Sequence, residues 1–253
     1  MLRTFAGGKL FGTRTGDGEP RVLALHGWGR THRDFDAVLR PVGAAELAAI
    51  AVDLPGFGSA PPPAEPWGSA DYADCVGAVL EEMARPVVVL AHSFGGRVAV
   101  HLAAERPDAV YALVLTSVPL LRLGPARRPR LAYRALRSLH RAGVLSEERI
   151  ERARQRYGSA DYAAASGVMR QVHGRIVAES YEAELDVISC PVTLVWGEDD
   201  RTVPLRVAQA GLARLHDADA ARAADLVVLP HAGHLVPLVA PGELRAAVER
   251  HLV

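Results

Sequence analysis

Six short apolar runs, each five or six residues long and rich in Val, Leu or Ile, recur along the chain. They lack polar alternation, which is typical of strands buried on both faces of a parallel sheet. The runs lie at 21–26, 48–53, 86–91, 111–116, 191–196 and 226–230. Amphipathic helical patterns separate them, for instance at 72–83, where Ser69 is expected to cap the helix. The pattern predicts an α/β fold, with a mostly parallel twisted sheet flanked by helices.

One long segment interrupts this alternation. Between residues 120 and 186 no buried strand is evident, and helix-like pieces are punctuated by Gly and Pro. A helical insert of this length between two sheet strands is typical of a lid over the strand ends. We therefore expect an α/β core formed by 1–119 and 187–253, with a helical cap inserted at 120–186.

Composition excludes several classes of protein. The 29 basic and 29 acidic side chains balance, which argues against a dedicated nucleic-acid binder. No apolar run approaches the ~18 residues needed for a membrane span. The N-terminus lacks the apolar core of a signal peptide, so a cytoplasmic protein is expected. Cys75 and Cys190 are too few for a disulfide scaffold and are expected to be buried free thiols.

The strongest chemical signal follows the run at 86–91, which leads directly into the hexapeptide AHSFGG at 91–96. A Ser in a tight strand-to-helix turn needs small residues two positions before and after it, because the turn brings those backbones together. Ala91 and Gly95 meet this requirement. A helix starting after Ser93 would direct its free N–H groups at negative charge developing beside the hydroxyl. Ser93 is therefore the predicted nucleophile.

A serine nucleophile needs a base to take its proton, and His234 is the best placed of the ten histidines. It lies in the pentapeptide PHAGH at 230–234, directly after the last predicted strand. The C-terminal ends of parallel strands share one edge of a sheet, so His234 and Ser93 are expected at the same edge. His231, three residues earlier, is the competing candidate.

The base in turn needs a carboxylate that holds its tautomer. The predicted strand at 191–196 ends in the loop GEDDRTVP, which carries Glu198, Asp199 and Asp200. Spacing alone does not choose among the three acids. The loop after the strand at 111–116 offers no carboxylate, so the acid is expected from the later loop. Asp199 and Asp200 with His231 and His234 could instead suggest a metal site. The nucleophilic arrangement explains them better, and we expect no metal and no cofactor.

The order of nucleophile, acid and base, each after a successive strand, resembles that of the α/β-hydrolase family. The motif HGWG at 26–29 is similar to that family's oxyanion loop, and DLPGFG at 53–58 to the turn after its next strand. The similarity spans nearly the whole chain and implies the α/β-hydrolase fold with an inserted cap. The family's acid stands four residues before the Pro of a Val-Pro pair, which selects Asp200. The elbow departs from the commoner pattern by beginning with Ala91 instead of Gly, a sterically harmless change.

The same resemblance implies an oxyanion hole built from the backbone N–H groups of Trp28 and Phe94. The side chains of these two residues are expected to line the substrate pocket. Leu235, which opens an apolar stretch after His234, is the third predicted substrate-binding residue.

Three further polar residues near these motifs are assigned structural roles or none. His26 is expected to bond nearby backbone, and Asp53 to hold its turn. His92 receives no chemical role, because the neighbour of a nucleophile on such an elbow points away from it.

The triad Ser93, Asp200 and His234 predicts a serine hydrolase acting on a small-molecule acyl substrate. A carboxylic ester is the expected substrate, or a thioester or lactone, cleaved through an acyl-enzyme intermediate; this preference reflects how often the family acts on esters. An acyltransferase, a cofactor-free perhydrolase or a carbon–carbon bond hydrolase would use the same triad. A small-molecule receptor with residual hydrolysis is the non-enzyme alternative.

Seven arginines fall within 20 positions of the predicted cap, without an acid among them, whereas the chain's 29 Lys and Arg in 253 residues predict about two. These cap arginines are Arg122, Arg127, Arg128, Arg130, Arg134, Arg137 and Arg141. Such a stripe would suit an anionic acyl group, a phosphopantetheine arm or an acidic carrier protein. In this respect the chain resembles the carrier-protein methyl ester esterases of biotin synthesis. A solvated helix face in an Arg-rich protein is the alternative.

Overall fold

A central eight-stranded sheet organises the chain. The computed structural model describes residues 1–83, 86–123, 131–150, 152 and 160–252, with only the backbone described at 131–134, 137 and 160. The strands are β1 (Arg3–Phe5), β2 (Leu10–Thr15), β3 (Val22–Leu25), β4 (Ala49–Asp53), β5 (Val87–His92), β6 (Val110–Thr116), β7 (Val192–Gly197) and β8 (Ala224–Leu229). From edge to edge their order is β1-β2-β4-β3-β5-β6-β7-β8.

The six predicted apolar runs form the parallel part of this sheet, strands β3 to β8. Successive side chains of a strand point to opposite faces. Leu23 and Leu25 accordingly pack in one hydrophobic cluster, whereas Val22 and Ala24 pack in the other. A strand with a hydrophobic core on each side needs apolar residues at every position, which confirms the prediction of a mostly parallel buried sheet.

The sequence analysis missed β1 and β2, which add an antiparallel edge. β2 reads LFGTRT and lacks the Val, Leu and Ile run of the parallel strands. Its Gly12 is a close-approach position, because a Cβ there would lie 2.0 Å from the carbonyl oxygen of Ala51 on β4. Pairing with β4 therefore depends on the absence of a side chain, which an apolar pattern does not reveal.

Helices cover both faces of the sheet. They are α1 (Asp36–Leu39), α2 (Ser69–Gly77), α3 (Phe94–Glu105), α4 (Leu131–Arg141), α5 (Ala160–Ala164), α6 (Gly167–Ala178), α7 (Glu182–Val187), α8 (Leu205–Ala218), α9 (Val236–Val239) and α10 (Pro241–Glu249). Helices α2, α3 and α8 contribute buried residues to one hydrophobic cluster, and α1, α9 and α10 to the other. Within the described ranges, the structure has no helix of the length and apolarity that a bilayer crossing requires.

The start of α2 differs from its prediction. Gly68, rather than Ser69, occupies the N-cap position, and its N–H donates to the carboxylate of Asp71 at 2.7 Å. The N–H of Ser69 donates to Glu179 at 3.1 Å, and the Ser69 hydroxyl also bonds that carboxylate. A carboxylate 110 residues away thus satisfies the helix start, where free N–H groups favour negative charge.

The described part of 120–186 contains helices α4 to α7 and no strand. Helix α6 lies against the core, where Val172 and Ile176 are buried in the same hydrophobic cluster as β5 and α3. Its Met169 sits over the turn after β4, so that a Cβ on Gly56 would fall 2.3 Å from the Met169 sulfur. The insert is therefore packed directly on the strand-end loops.

Both cysteines are free thiols, as predicted. Cys190 is buried, and burial raises its pKa to about 11, whereas Cys75 is half-buried.

Candidate active site

Ser93 lies in the turn between β5 and α3, in the left-handed backbone region with φ 49° and ψ −108°. A non-glycine residue rarely adopts this conformation, and its cost must be met by the surrounding packing. The N–H of Gly95 donates to the carbonyl of His26 at 3.0 Å, which holds the turn against the end of β3. A Cβ on Gly95 would lie 2.2 Å from the carbonyl oxygen of Leu25, so the predicted need for a small residue here is confirmed.

Asp200 and His234 meet across two strand-end loops. His234 Nδ1 lies 2.9 Å from Asp200 Oδ2, and Oδ1 of the same carboxylate accepts the N–H groups of Thr202 and Val203, each at 2.9 Å. Burial by itself would raise the pKa of Asp200. The hydrogen bonds from His234 and the Val203 N–H outweigh it and hold that pKa below its usual range. An ionised Asp200 accepts the Nδ1 proton, which leaves His234 Nε2 free to take another.

The competing residues of the two loops are placed differently. Glu198, Asp199 and His231 are exposed, and among the described contacts none of their side chains bonds to Asp200 or His234. The structure therefore separates Asp200 from the adjacent acids by burial and by its contact with the histidine.

His92, the residue before Ser93, contacts the loop that carries His234. Among the described residues Ser93 Oγ has no hydrogen-bond partner, whereas His92 Nε2 lies 3.0 Å from the backbone oxygen of His234. A carbonyl only accepts, so His92 Nε2 must carry the proton. The ring centroids of His92 and His234 are 5.0 Å apart, and His92 is 1% exposed. His92 thus contacts the segment that carries the histidine, a role that the sequence analysis did not assign.

Ser93 opens into a cavity of about 470 Å³ between the sheet edge and the 120–186 insert. It is lined by Trp28, Ser93, Phe94, Arg97, Pro119, Asp161, Tyr162, His173, Gly174, Ile176, Val177, Thr202 and Val203. Trp28 packs edge-on against Phe94 at 5.5 Å and against His173 at 4.9 Å between ring centroids. The cavity therefore has an aromatic wall beside the serine, to which Trp28 and Phe94 contribute.

The predicted oxyanion donors are available. Within the described chain, the backbone N–H groups of Trp28 and Phe94 donate to no protein acceptor. Phe94 is the first residue of α3, where a helix leaves its N–H groups unpaired. Leu235 is placed differently: it is 37% exposed at the start of α9 and does not line the cavity.

The two predicted structural roles near the site are confirmed. His26 accepts the Leu54 N–H at Nε2 over 2.9 Å, and burial lowers its pKa to about 4. Asp53 accepts the N–H of Ser59 within its own turn, and it also bonds the N–H and the ring of His32.

Sequence reasoning missed five polar residues of the cavity: Arg97, Asp161, Tyr162, His173 and Thr202. Arg97 follows Ser93 by one helical turn, a spacing that could have revealed it. His173 shares a helical face with Met169, Val172 and Ile176, a pattern that identifies a packed face but not the cavity beneath it.

Most of the cap arginines lie outside the described residues or lack described side chains. Arg122 and Arg141 are the two exceptions, and the Arg122 guanidinium donates to the carbonyl of Ala178 at 3.1 Å. The described part of the chain contains no group of three or more His, Cys, Asp or Glu side chains that could hold a metal ion.

Comparison with known proteins agrees with this architecture. The model of the alpha/beta hydrolase family matches residues 22–247. The chain is 30% identical to the pimeloyl-[acyl-carrier protein] methyl ester esterase of Neisseria meningitidis serogroup A over 94% of this chain and 78% of that protein. It is also 42% identical to lipase LipV of Mycobacterium tuberculosis, over 39% of this chain and 37% of that protein.

Solved structures with the same fold include an esterase from Thermogutta terrifontis, with a TM-score of 0.69, 22% identity and coverage of 100% of this chain and 98% of that one. The thioesterase domain from the curacin biosynthetic pathway matches with a TM-score of 0.70, 20% identity and coverage of 98% of each chain. At these identities the structures show the fold alone. The family match over most of its length and the esterase relative that matches 94% of it establish that the chain is an enzyme of the alpha/beta hydrolase family.

Proposed function

We propose that the protein is a serine esterase in which Ser93 is the nucleophile, His234 the general base and Asp200 the residue that orients it. The observation that carries this proposal is the 2.9 Å contact between His234 Nδ1 and a buried Asp200, in loops at the same sheet edge as the strained Ser93 turn. Geometry of this kind is the reason that a histidine can activate a neighbouring hydroxyl.

In the first half of the reaction, Ser93 Oγ attacks the ester carbonyl while His234 Nε2 takes the hydroxyl proton. Asp200 stabilises the resulting imidazolium by accepting a hydrogen bond from the Nδ1–H of His234. The carbonyl oxygen becomes an oxyanion, and the N–H groups of Trp28 and Phe94 supply two donors for it. Collapse of the intermediate breaks the bond to the alcohol oxygen, which leaves with the proton from His234, and the acyl group remains on Ser93.

In the second half, water attacks the acyl-enzyme. His234 takes a proton from the water, the same two N–H groups bind the second oxyanion, and the bond to Ser93 Oγ breaks. The acid departs, and His234 returns the proton to Ser93. Each step uses one base and one pair of donors, so the site needs no further catalytic group.

Residues 120–186 act as a cap over this site in the same proposal, with 1–119 and 187–253 as the core. Support comes from the cavity itself, because Tyr162, His173 and Ile176 of the insert line it opposite Ser93. A cap of this kind limits access of water and defines the shape of the acyl pocket.

The substrate that we propose is a carboxylic ester of a small or medium acyl group. The apolar wall of the cavity supports this choice, as do the esterase and lipase names of the relatives. A methyl ester on an acyl group carried by an acyl-carrier protein is the specific candidate, because the relative that matches 94% of this chain bears that name. A carrier would approach at the cap.

The proposal is tested by hydrolysis of p-nitrophenyl acetate, butyrate and octanoate by the wild type and by Ser93→Ala. Fluorophosphonate labelling, located by mass spectrometry, identifies the nucleophile. Turnover that disappears in Ser93→Ala, with the label on Ser93, supports an esterase. Label on another residue, or undiminished turnover in Ser93→Ala, contradicts it. A label on Ser93 with product formed only when an alcohol or peroxide is added would instead indicate a transferase or perhydrolase.

A further inference from the structure

Arg97 places a positive charge in the wall of the cavity into which Ser93 opens. Ser93 immediately precedes α3 and Arg97 is the fourth residue of that helix, so the two positions are separated by about 6 Å along the helix axis. Arg97 is half-buried, and a guanidinium keeps its charge at any physiological pH. A cation this close to the reacting serine affects which substrates the cavity favours.

The partners of Arg97 are neutral. Its Nη1 donates to the carbonyl of Ile176 at 2.6 Å and to the hydroxyl of Tyr181 at 3.2 Å, and its guanidinium lies 5.5 Å from the Tyr181 ring centroid. Within the described residues no carboxylate lies within 4.0 Å of it. A guanidinium has five N–H donors, so these contacts leave part of its hydrogen-bonding capacity unused.

The nearby acids are engaged elsewhere or face solvent. Glu179 accepts hydrogen bonds from the Tyr181 hydroxyl at 2.7 Å and from the start of α2, and Tyr181 stands between it and Arg97, so the two charges form no direct ion pair. Asp161 lines the cavity but is exposed. The pKa of His173 is lowered mainly by burial, with Arg97 acting in the same direction against Asp161. His173 therefore adds no positive charge at neutral pH, and Arg97 is the cation of the described cavity wall.

We propose that Arg97 binds a carboxylate of the substrate, so that the enzyme favours esters that carry a free carboxylate a few bonds from the scissile carbonyl. This inference rests on the esterase activity proposed above, and it favours small esters with a free carboxylate over the carrier-bound methyl ester, which has no carboxylate near its scissile carbonyl. A partly desolvated guanidinium without an ionic partner gains most from a charged acceptor, which forms shorter and stronger hydrogen bonds than a neutral one. Ser93 and Arg97 line the same cavity one helical turn apart, which suits a substrate whose two groups are only a few bonds apart.

The kinetic test compares mono-p-nitrophenyl glutarate with p-nitrophenyl pentanoate, which has the same chain length without the carboxylate. A second pair places the carboxylate on the alcohol, with the butyrate esters of 4-hydroxybenzoate and of its methyl ester. The wild type is expected to prefer the anionic member of at least one pair in kcat/KM. In Arg97→Met this ratio is expected to fall by about 10-fold to 100-fold, with Arg97→Lys in between.

Tyr181→Phe is the matched control for a merely structural role. It removes the hydroxyl partner of Arg97 but keeps the guanidinium in the cavity, so the preference for the anionic ester should remain. If Tyr181→Phe lowers the ratio as much as Arg97→Met, Arg97 acts as a clamp on the insert and the inference is wrong. Equal ratios in the wild type and Arg97→Met also overturn it.

A binding measurement separates this inference from the esterase proposal. Isothermal titration calorimetry with monomethyl glutarate and with methyl pentanoate is carried out on Ser93→Ala and on the double variant that also carries Arg97→Met. Selective binding of the anionic compound that is lost in the double variant supports the carboxylate site even if no ester is turned over. If both variants bind monomethyl glutarate equally well, Arg97 does not bind the carboxylate and the inference is wrong, whatever the outcome for hydrolysis.

Discussion

At the scale of single residues, burial and contact decide between side chains that look equivalent in the sequence. Glu198, Asp199 and Asp200 are adjacent acids, yet only Asp200 is buried against a histidine and two backbone N–H groups. Those contacts hold its pKa below the usual range, so Asp200 is ionised at neutral pH. The proposed orienting role therefore depends on hydrogen bonds that neutral Asn would make differently.

Asp200→Asn is expected to lower kcat by roughly 10³-fold to 10⁴-fold, because an amide can donate to Nδ1 and stabilise the wrong tautomer of His234. The N–H bonds from Thr202 and Val203 can persist on the Asn oxygen, so the fold should survive. Hydrolysis of p-nitrophenyl butyrate and thermal unfolding measure the two effects. Asp199→Asn is the control, and a comparable loss in that variant would contradict the assignment.

His92 is the second residue whose role follows from its contacts, since its Nε2–H holds the backbone oxygen of His234. His92→Phe removes this donor while keeping a ring of similar size. We expect kcat to fall by about 5-fold with little change in KM, because loss of one hydrogen bond worth about 1 kcal/mol loosens the histidine loop. His92→Gln, which can still donate, should recover much of the rate. Equal rates in His92→Phe and the wild type would refute a positioning role.

At the scale of elements, the strand-to-helix turn around Ser93 is held by close backbone packing. The first turn of α3 packs so tightly against the end of β3 that Gly95 has no room for a Cβ beside the carbonyl of Leu25. The N-terminus of α3 thereby stays aimed at Ser93, and the strained φ of Ser93 is maintained by its surroundings. Packing among β3, β5 and α3, and not the hexapeptide alone, therefore determines the backbone conformation of Ser93, the proposed nucleophile.

Gly95→Ala is expected to destabilise the protein by about 1–3 kcal/mol and to abolish most activity, since the added methyl group must displace backbone. Gly242→Ala is the matched control: a Cβ there meets no atom within 4 Å, and Gly242 lies in α10. Ala favours a helix over Gly by up to about 1 kcal/mol, so this variant should be at least as stable as the wild type. Urea unfolding of both variants gives the comparison, and a Gly95→Ala variant as stable and active as the wild type would contradict the packing argument.

At the scale of the whole molecule, two histidines buried behind the active site connect stability to pH. Burial lowers the pKa of both His26 and His92 to about 4. In the unfolded chain both histidines become protonated below about pH 6.5, whereas in the folded protein they stay neutral down to about pH 4. Protonation therefore favours the unfolded state between these limits, and stability falls as the pH falls.

The free energy of unfolding is expected to decrease by roughly 2 kcal/mol per histidine between pH 7 and pH 5. The pKa values of Asp53 and Asp200 are lowered in the folded protein. These two groups therefore reduce the free energy of unfolding further only below about pH 4, where carboxylates of the unfolded chain become protonated. Urea unfolding at pH 7, 6 and 5 measures the slope. His26→Gln keeps an acceptor for the Leu54 N–H but does not titrate, so its loss of stability between pH 7 and pH 5 should be smaller than that of the wild type by roughly 2 kcal/mol. A stability that is unchanged from pH 7 to pH 5 would argue against neutral burial of either histidine.

The local pattern of the chain was sufficient to predict the parallel sheet, the tight turn at Ser93 and the two loops that carry the proposed acid and base. Uninterrupted apolar runs require two buried faces, and small residues flanking a serine between a strand and a helix require a tight turn. Such requirements act over a few residues, so they are legible in the sequence. The family pattern was needed to select Asp200, because three adjacent acids satisfy the same local requirement.

Tertiary structure alone decided the features that join distant segments. The antiparallel edge depends on the close approach of Gly12 to β4. The start of α2 depends on a carboxylate 110 residues away. The backbone of His234 is held by His92, which lies 142 residues before it. Arg97 places its charge in a cavity wall only because α6 supplies another part of that wall. These contacts form between surfaces that the fold brings together, and no periodicity or spacing within either segment encodes its partner.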